Sequence, residues 1–418
     1  MVDPRRQASM IFVLVAALFA VCTHAHETVK AAFESDFYDF GNYYFFSKAA
    51  SQGYNPYILD GAAVEKMRQG YGISALVLPL TGHSPIFFFL IRWVTAMPYR
   101  AASLLWLLLN EAALLASLAL IARLVLEEVP DINRGFFIAG GLFFVFAFHP
   151  LVENIALGQI NFLILLFFIL CLYFLRGGRH ALAGVMMGLA IIIKPNFAIF
   201  LPFFLWKRCY RLAACAFVVV LAAEIAAVFL YGPAIELAYL AVPIRNFLLS
   251  SPHATSVNNL SLWQLMSRLS GPGAPGGAAA PLMFPAAAVG CLACAVFAFV
   301  RTKGRFRRVD PVFMLEFSLF LLLNFIICPE VHEHQYVFLY LPILLTWALT
   351  MQRPQAGHAA LFLSAFLCVA LRYSLVQFSA FHTGVPAIFT GLKLYGIMAF
   401  FFLVASMIRG GTPGIERR

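Results

Sequence analysis

The chain alternates long apolar runs with short polar joints. Apolar stretches of the length that crosses a hydrocarbon layer as a helix, roughly 20 residues, fall at residues 9–24, 75–98, 100–125, 135–149, 157–175, 181–206, 210–231, 282–300, 312–328, 335–350, 358–377 and 386–408. The pattern predicts an all-α, polytopic transmembrane bundle of about twelve spans. Two polar stretches are too long to be tight joints, residues 25–74 and 232–281. They divide the chain into a first transmembrane module over 1–231, carrying the 25–74 loop, a second long loop over 232–281, and C-terminal helices over 282–418.

Composition agrees. At 62% hydrophobic and 11% charged residues, with a mean hydropathy of +0.86, the chain exceeds the apolar content of a soluble domain, which is about half. A net charge of +10 raises the question of nucleic acid, but the cations flank the spans rather than forming a binding stripe. Arg5, Arg6, Lys207, Arg208, Arg211, the run from Arg301 to Arg308, Arg353, Arg409, Arg417 and Arg418 form the positive-inside pattern. Counted from a cytoplasmic N-terminus, both long loops lie outside. Membrane lipids, not nucleic acid, are therefore the expected surroundings, and a bacterial-type cytoplasmic (inner) membrane is the expected location. Arg176, Arg179 and His180 dissent, because the same count puts them outside. Either a neighbouring segment is a re-entrant pair, or these cations act at the outer face, for instance by holding phosphate. The second reading is the expectation.

Other features change the picture less. An Arg pair, the apolar run Met10–Cys22 and the small-residue site at residues 23–25 also fit a cleavable signal peptide. Cys171, Cys215, Cys291, Cys294 and Cys368 fall within spans, so the eight cysteines predict no disulfide scaffold, and the Cys291–Cys294 pair reads as packing. Residues 271–280 read as a flexible linker. No internal repeat is visible, which weighs against a secondary transporter.

Candidate chemistry concentrates in the first long loop. Its stretch Ser35-Asp36-Phe37-Tyr38-Asp39-Phe40-Gly41-Asn42-Tyr43-Tyr44 places two of the chain's few carboxylates three residues apart among aromatics. The segment continues through Gly53 to Asn55-Pro56-Tyr57, as an interfacial helix followed by a turn would. This phrase resembles the first-loop signature of glycosyltransferase family 87, in which an Asp-Phe precedes an aromatic pair, an Ala-rich helix and Gly-x-x-Pro-Tyr, and Asp39 matches the family's aspartate. Further pieces recur in order. Gly158-Gln159-Ile160-Asn161 is similar to the family's Gly-Gln-x-Asn; Ala183-Gly184, Gly188-Leu189 and Lys194-Pro195-Asn196 to its Ala-Gly, Gly-Leu and Lys-Pro series; Asn258-Asn259-Leu260-Ser261 with Arg268 to its second-loop element, with one extra residue; and His334-Gln335-Tyr336-Val337 to its His-x-x-Val.

The resemblance implies a GT-C-type hexosyltransferase of cell-envelope glycolipid biosynthesis. It would take a monosaccharide, most often mannose, from a polyprenyl-phosphate donor to a glycolipid or glycan acceptor at the outer face, inverting the anomeric centre, with neither cofactor nor metal. The residues suit that chemistry. A base must take the proton of the attacking hydroxyl, and the leaving phosphate needs no general acid, so one carboxylate suffices. Asp39 is the expected base. Asp36 is secondary, an N-cap or solvated acid; an Asp36–Asp39 pair sharing one helix face would instead suggest a hydrolase. Lys194, isolated among Ile191-Ile192-Ile193, costs about 3 kcal/mol to insert at mid-span and so marks a polar cavity. Lys194, His334, Arg176 and Arg179 are the expected phosphate ligands. His332 is secondary; it and His334 would chelate a metal only from an extended strand, and no third ligand is evident. Gln159 and Asn161 join the site through the Gly-Gln-x-Asn match, and Tyr43, Tyr44, Asn259 and Arg268 suit an acceptor groove, although aromatics at an interface also serve as belt residues. The competing classes are a transporter or flippase of a lipid-linked sugar, and a surface-polysaccharide ligase or polymerase working through the second loop with Arg245, His253 and Arg268.

Overall fold

A computed structural model describes residues 4–77, 82–248, 258–269, 306, 308–328, 330–372 and 375–410. The predicted span at 282–300, the 271–280 linker, Cys291, Cys294, His253, Arg417 and Arg418 lie outside these, as does the Arg245 side chain. Among the described residues every regular element is helical. Four helices are long and apolar enough to cross a membrane: Gln7–Glu34, Tyr99–Glu128, Tyr210–Tyr231 and Val385–Arg409. A fifth arises if Arg134–Phe146 and His149–Leu157, bent by 53°, count as one. The remaining apolar helices are shorter, with 10–17 residues, so among the described residues length and composition support four or five crossings, and the expected count of about twelve is not shown.

The described residues of the two long loops are largely helical. The N-terminal helix runs to Glu34, and Tyr38–Ser51 and Gly61–Gly70 follow. Asp60 caps the latter by accepting from the Ala63 N–H at 2.7 Å, and Glu65 pairs with Arg68 one turn on. The arginine and Gln69 hold the exposed Glu65 carboxyl down at about 2. The second loop opens with the helix Pro233–Leu248.

The chain divides into two compact units. The first comprises His26–Leu120 and Val152–Ser251. Within it Asn161–Arg176 and His180–Ile193 pack as an antiparallel pair joined through Gly177 and Gly178, the latter at φ +71°. Tyr210–Tyr231 packs on His180–Ile193, and glycines set the approach. A Cβ on Gly184 would lie 2.6 Å from Cys215 Cβ, and one on Gly188 would lie 2.7 Å from Val219 Cβ. Because the contact advances from Cys215 to Val219 as it advances from Gly184 to Gly188, these two helices run the same way.

That register overturns one expectation. Two consecutive helices that run the same way need a return segment between them, and residues 195–206 supply it. Helix His180–Ile193 stops at Lys194, a 3₁₀ turn spans Pro195–Ile199, and Phe200–Trp206 leads back. Pro195 forces the break, since it has no N–H to continue the ladder. The returning segment packs beside the middle of Asn161–Arg176, with Phe168 4.7 Å from Phe197 and 5.3 Å from Phe200 between ring centroids. Residues 181–206 are therefore an out-and-back pair, not one span. Arg176, Arg179 and His180 share an end of the helices with Lys207, Arg208 and Arg211, and the charge dissent disappears.

The second unit comprises Met1–Ala25, Ile121–Leu151 and Pro252–Arg418. Leu392–Arg409 packs against both Pro311–Ile327 and Ala356–Ala370, with Gly396 closing on Val369. Tyr340–Gln352 packs on Arg134–Phe146, where Gly140 makes room for the Trp347 ring.

Adding one methyl at a glycine contact tests the register. Gly184→Ala should destabilise the detergent-solubilised protein by about 1–3 kcal/mol through overpacking, whereas Gly177→Ala, with only carbonyl oxygens at 3.6 Å and 3.8 Å, should stay within about 0.5 kcal/mol. Thermal unfolding of the two variants decides it, and equal effects would refute the close parallel contact.

Candidate active site

The first unit assembles its polar centre from two backbone turns that pack together. Phe37 is left-handed (φ 49°) and separates the N-terminal helix from Tyr38–Ser51. Gly158 is also left-handed (φ 67°) and follows the helix ending at Leu157. A Cβ on Gly158 would stand 2.9 Å from Phe40 Cβ and 3.1 Å from Phe37 Cβ, so only glycine fits both the conformation and the space. Trp106 fixes this turn by donating from Nε1 to the Gly158 carbonyl at 2.8 Å. On the other side, Ser35 donates to the Ala156 carbonyl and Tyr99 to the Asp36 carbonyl.

This packing sets Gln159 against Asp39. Gln159 Nε2 donates to Asp39 Oδ2 at 2.6 Å, and Tyr43 donates to Gln159 Oε1 at 2.9 Å. The amide is thus oriented from both ends. Asp39 sits in the first turn of Tyr38–Ser51, where free backbone N–H groups favour a carboxylate, and it remains partly exposed. Burial, then the nearby Asp39 charge, pushes Tyr38 up to about 12 and Tyr43 well above the usual phenol range, so Tyr43 stays a donor. Its ring is clamped edge-on by His83 at 4.9 Å and Phe87 at 5.3 Å.

Two residues beyond Gln159, Asn161 continues the chain of contacts. Lys194 Nζ donates to Asn161 Oδ1 at 2.6 Å, and Asn161 Nδ2 donates to Asn154 Oδ1 at 2.9 Å. Lys194 stands at the helix break, partly exposed, rather than at mid-span. The break strands carbonyls that would have accepted further along the helix. Ser84 Oγ donates to the Ile192 carbonyl at 2.9 Å, and His83 Nδ1 lies 3.0 Å from the Ile193 carbonyl, so Nδ1 carries the proton. The segment Gln159–Asn161 therefore bridges an acid and a cation. Beside it a cavity of about 410 Å³ is lined mainly by apolar side chains, among them Phe87, Trp106, Ile160, Phe167 and Ile193.

The other expected residues fall elsewhere. Asp36 precedes the helix and is exposed, and the left-handed Phe37 between them keeps it off the helix that carries Asp39. Tyr44 is buried and donates to the Met97 carbonyl at 2.8 Å, which makes it a packing residue. Arg176 closes the 16-residue helix that Asn161 opens, which puts the two roughly 22 Å apart. Arg176 and Arg179 thus lie at the far end from Lys194 and do not join it as phosphate ligands.

Asn259, Arg268, His332 and His334 belong to the second unit. Buried Asn259 accepts from the Ser261 and Val331 N–H groups, both at 3.0 Å. Buried Arg268 donates to Thr390 Oγ1 at 2.9 Å. Both are internal ties. The His332 and His334 rings stack at 5.6 Å, with His332 Nε2 3.1 Å from Glu330 Oε1.

Residues not anticipated as site members are His83, Asn154, and the trio His149, Glu333 and Lys393, in which one Glu333 oxygen lies 2.6 Å from both His149 Nδ1 and Lys393 Nζ. Burial alone would raise the Glu333 carboxyl, but the hydrogen bond from His149 and the charge of Lys393 outweigh it and hold the group below its usual range. A lysine inside the last apolar run was the one sequence signal for this trio.

The family model of glycosyltransferase family 87 matches residues 82–329, more than half of the chain. No curated protein matches, and no solved structure matches. The matched segment contains Gln159, Asn161, Lys194, Asn259 and Arg268; Asp39 precedes it, and His332 and His334 follow it.

Removing the amide tests the bridge. Gln159→Ala should lower sugar transfer by about 100-fold, the scale of misplacing a reacting group by an ångström, while costing about 1 kcal/mol of stability. Initial rates and unfolding midpoints of the same preparations give both numbers, and full activity would show that Asp39 needs no positioning by Gln159.

Proposed function

The chain belongs to glycosyltransferase family 87, and from that premise we propose that it moves a monosaccharide, mannose, from a polyprenyl-phosphate donor to a glycolipid or glycan acceptor. It is a membrane glycosyltransferase; the donor, the sugar and the roles below are the proposal. The carrying observation is the bridge, in which Gln159 holds the Asp39 carboxylate at 2.6 Å and Asn161 holds the Lys194 ammonium at 2.6 Å. A displacement from a lipid phosphate needs both groups, one on each side of the reacting carbon: a base for the incoming hydroxyl and a cation for the departing phosphate.

In this reading the acceptor oxygen attacks C1 of the sugar from the face opposite the phosphate, and its proton passes to Asp39. The C1–O bond to phosphate breaks, and its electron pair leaves on the phosphate, which Lys194 attracts. The configuration at C1 inverts. The apolar cavity suits the first isoprene units of the donor, since Ile160 of the bridge and Ile193 next to Lys194 line it and it offers almost no polar group.

Orientation follows from charge. Arg176, Arg179, His180, Lys207, Arg208 and Arg211 gather at one end of the helices of the first unit, and Asp39 and Lys194 stand at the other. The positive-inside rule supports a cytoplasmic position for the cationic end and an outward-facing site in the inner membrane. A GT-C architecture with further short spans completes the reading. Family membership displaces the transporter alternative.

Asp39→Asn should reduce transfer of radiolabel from polyprenyl-phosphate-mannose to membrane glycolipids by about 10²–10⁴-fold, the usual worth of a positioned base, without lowering the unfolding midpoint. An unimpaired, folded Asp39→Asn variant would remove Asp39 as the base. An inactive wild type would remove mannose and send the search to other lipid-phosphate sugars.

A further inference from the structure

The segment that carries Gln159 and Asn161 departs from a helix end in which one residue has two tasks. The Gly158 N–H donates to the Ile155 carbonyl and the Gln159 N–H to the Asn154 carbonyl, both at 3.0 Å. With Gly158 left-handed, these two bonds close the helix ending at Leu157 in a Schellman turn. Asn154 therefore holds Gln159 through its backbone. Through its side chain it holds Asn161, whose Nδ2 donates to Asn154 Oδ1 at 2.9 Å. One residue thus ties both arms of the bridge, the acid by way of Gln159 and the cation by way of Asn161. Both asparagines are buried, Asn154 at 1% exposure and Asn161 at 0%.

The direction of the side-chain bond matters. A primary amide is a donor at one end and an acceptor at the other, and an ammonium group is attracted only by the acceptor end. Asn161 turns Oδ1 to Lys194 Nζ, 2.6 Å away, while Asn154 engages its Nδ2. An apolar residue at 154 would leave that Nδ2 unpaired and remove what tells the two ends of the Asn161 amide apart.

The choice of asparagine at 154 has a cost. Its own Nδ2 is buried and has no hydrogen-bond partner among the described residues, and a donor so placed gives up its bonds to water without replacement. A carboxylate would accept the same bond and leave no donor over. It would also set a negative charge two hydrogen bonds from Lys194, in competition with a phosphate. The amide orients Asn161 and adds no charge.

We infer that Asn154 is a positioning residue of the transferase: it fixes the polarity of the Asn161 amide and so keeps Lys194 at the bridge, where its charge meets the departing phosphate. This rests on the lipid-phosphate reading above. In it Asn154 touches neither the substrate nor the reacting atoms, and no bond to it forms or breaks during transfer.

The test uses the full chain in lipid nanodiscs, titrated with polyprenyl phosphate and, separately, with polyprenol, which has the same chain and no phosphate. Asn154→Leu removes the acceptor and keeps the branched shape, and Asn154→Asp keeps the acceptor and adds a charge. Each should weaken polyprenyl phosphate about tenfold, the scale of one charge-assisted contact, and leave polyprenol unchanged. In a Lys194→Gln background the same substitutions should weaken polyprenyl phosphate by less than about twofold, because their effect passes through the missing ammonium. A purely structural role would cost the same factor in both backgrounds. Should Asn154→Leu fold poorly, Asn154→Asp carries the test, since it retains the hydrogen bond to Asn161. Equal losses for the phosphate and the alcohol, equal losses with and without Lys194, or an unchanged affinity in Asn154→Asp would overturn the inference. Sugar transfer by wild type in the same nanodiscs separates the two readings. Losses that add independently of Lys194 while transfer is intact sink this inference alone, whereas coupled losses without transfer from any lipid-phosphate sugar sink only the transferase reading.

Discussion

The hydrogen bond from Gln159 to Asp39 is the contact on which the rest of the first unit depends. A carboxylate among Phe37, Phe40 and Tyr43 is costly unless it is paired, and the chain meets that need with an amide fixed by a second donor, Tyr43. To bring the amide there, two segments more than a hundred residues apart must pack backbone on backbone, which requires the left-handed turn and missing side chain of Gly158. Trp106, Tyr99 and Ser35 serve that one approach from three directions. The same short segment then delivers Asn161 to Lys194, so acid and cation are held by one rigid strut.

The second constraint is the break at Lys194-Pro195. In a bilayer a backbone carbonyl without a partner is expensive, and a proline at this point strands several. Ser84 and His83 take the carbonyls of Ile192 and Ile193, which ties the Pro85–Ile91 helix to the end of His180–Ile193. Because His83 also abuts the Tyr43 ring, repair of the break and assembly of the site are one packing problem. The break has a topological effect as well. It turns the chain back on itself and collects the basic residues at one end of the helices, away from Asp39.

The second unit is built on different ties. Asn259, Arg268 and Thr390 knit its segments through buried hydrogen bonds, and Lys393, Glu333 and His149 form a charge chain with one partly exposed terminus. Residues that looked like groove-lining groups proved to be internal ties, and residues passed over proved to be connected. In both cases the side-chain type was informative, while its role depended on which neighbour it met.

The sequence by itself determined the membrane class and the helical fold, because both follow from composition and apolar run length, and it singled out Asp39, the Gly-Gln-x-Asn element and Lys194-Pro195 as unusual in an apolar chain. It also held both explanations of the Arg176–His180 charges, but hydropathy cannot tell a helix that crosses from one that goes out and returns. Only the tertiary structure decided that, through the parallel contact of Gly184 and Gly188 with the next helix. Likewise, a lone His149 in the fourth apolar run and a lone Lys393 in the last one carry no signal of each other. Their meeting at Glu333 is a long-range contact, set by how helices pack rather than by any local pattern, and long-range contacts are what turn isolated polar residues into a site.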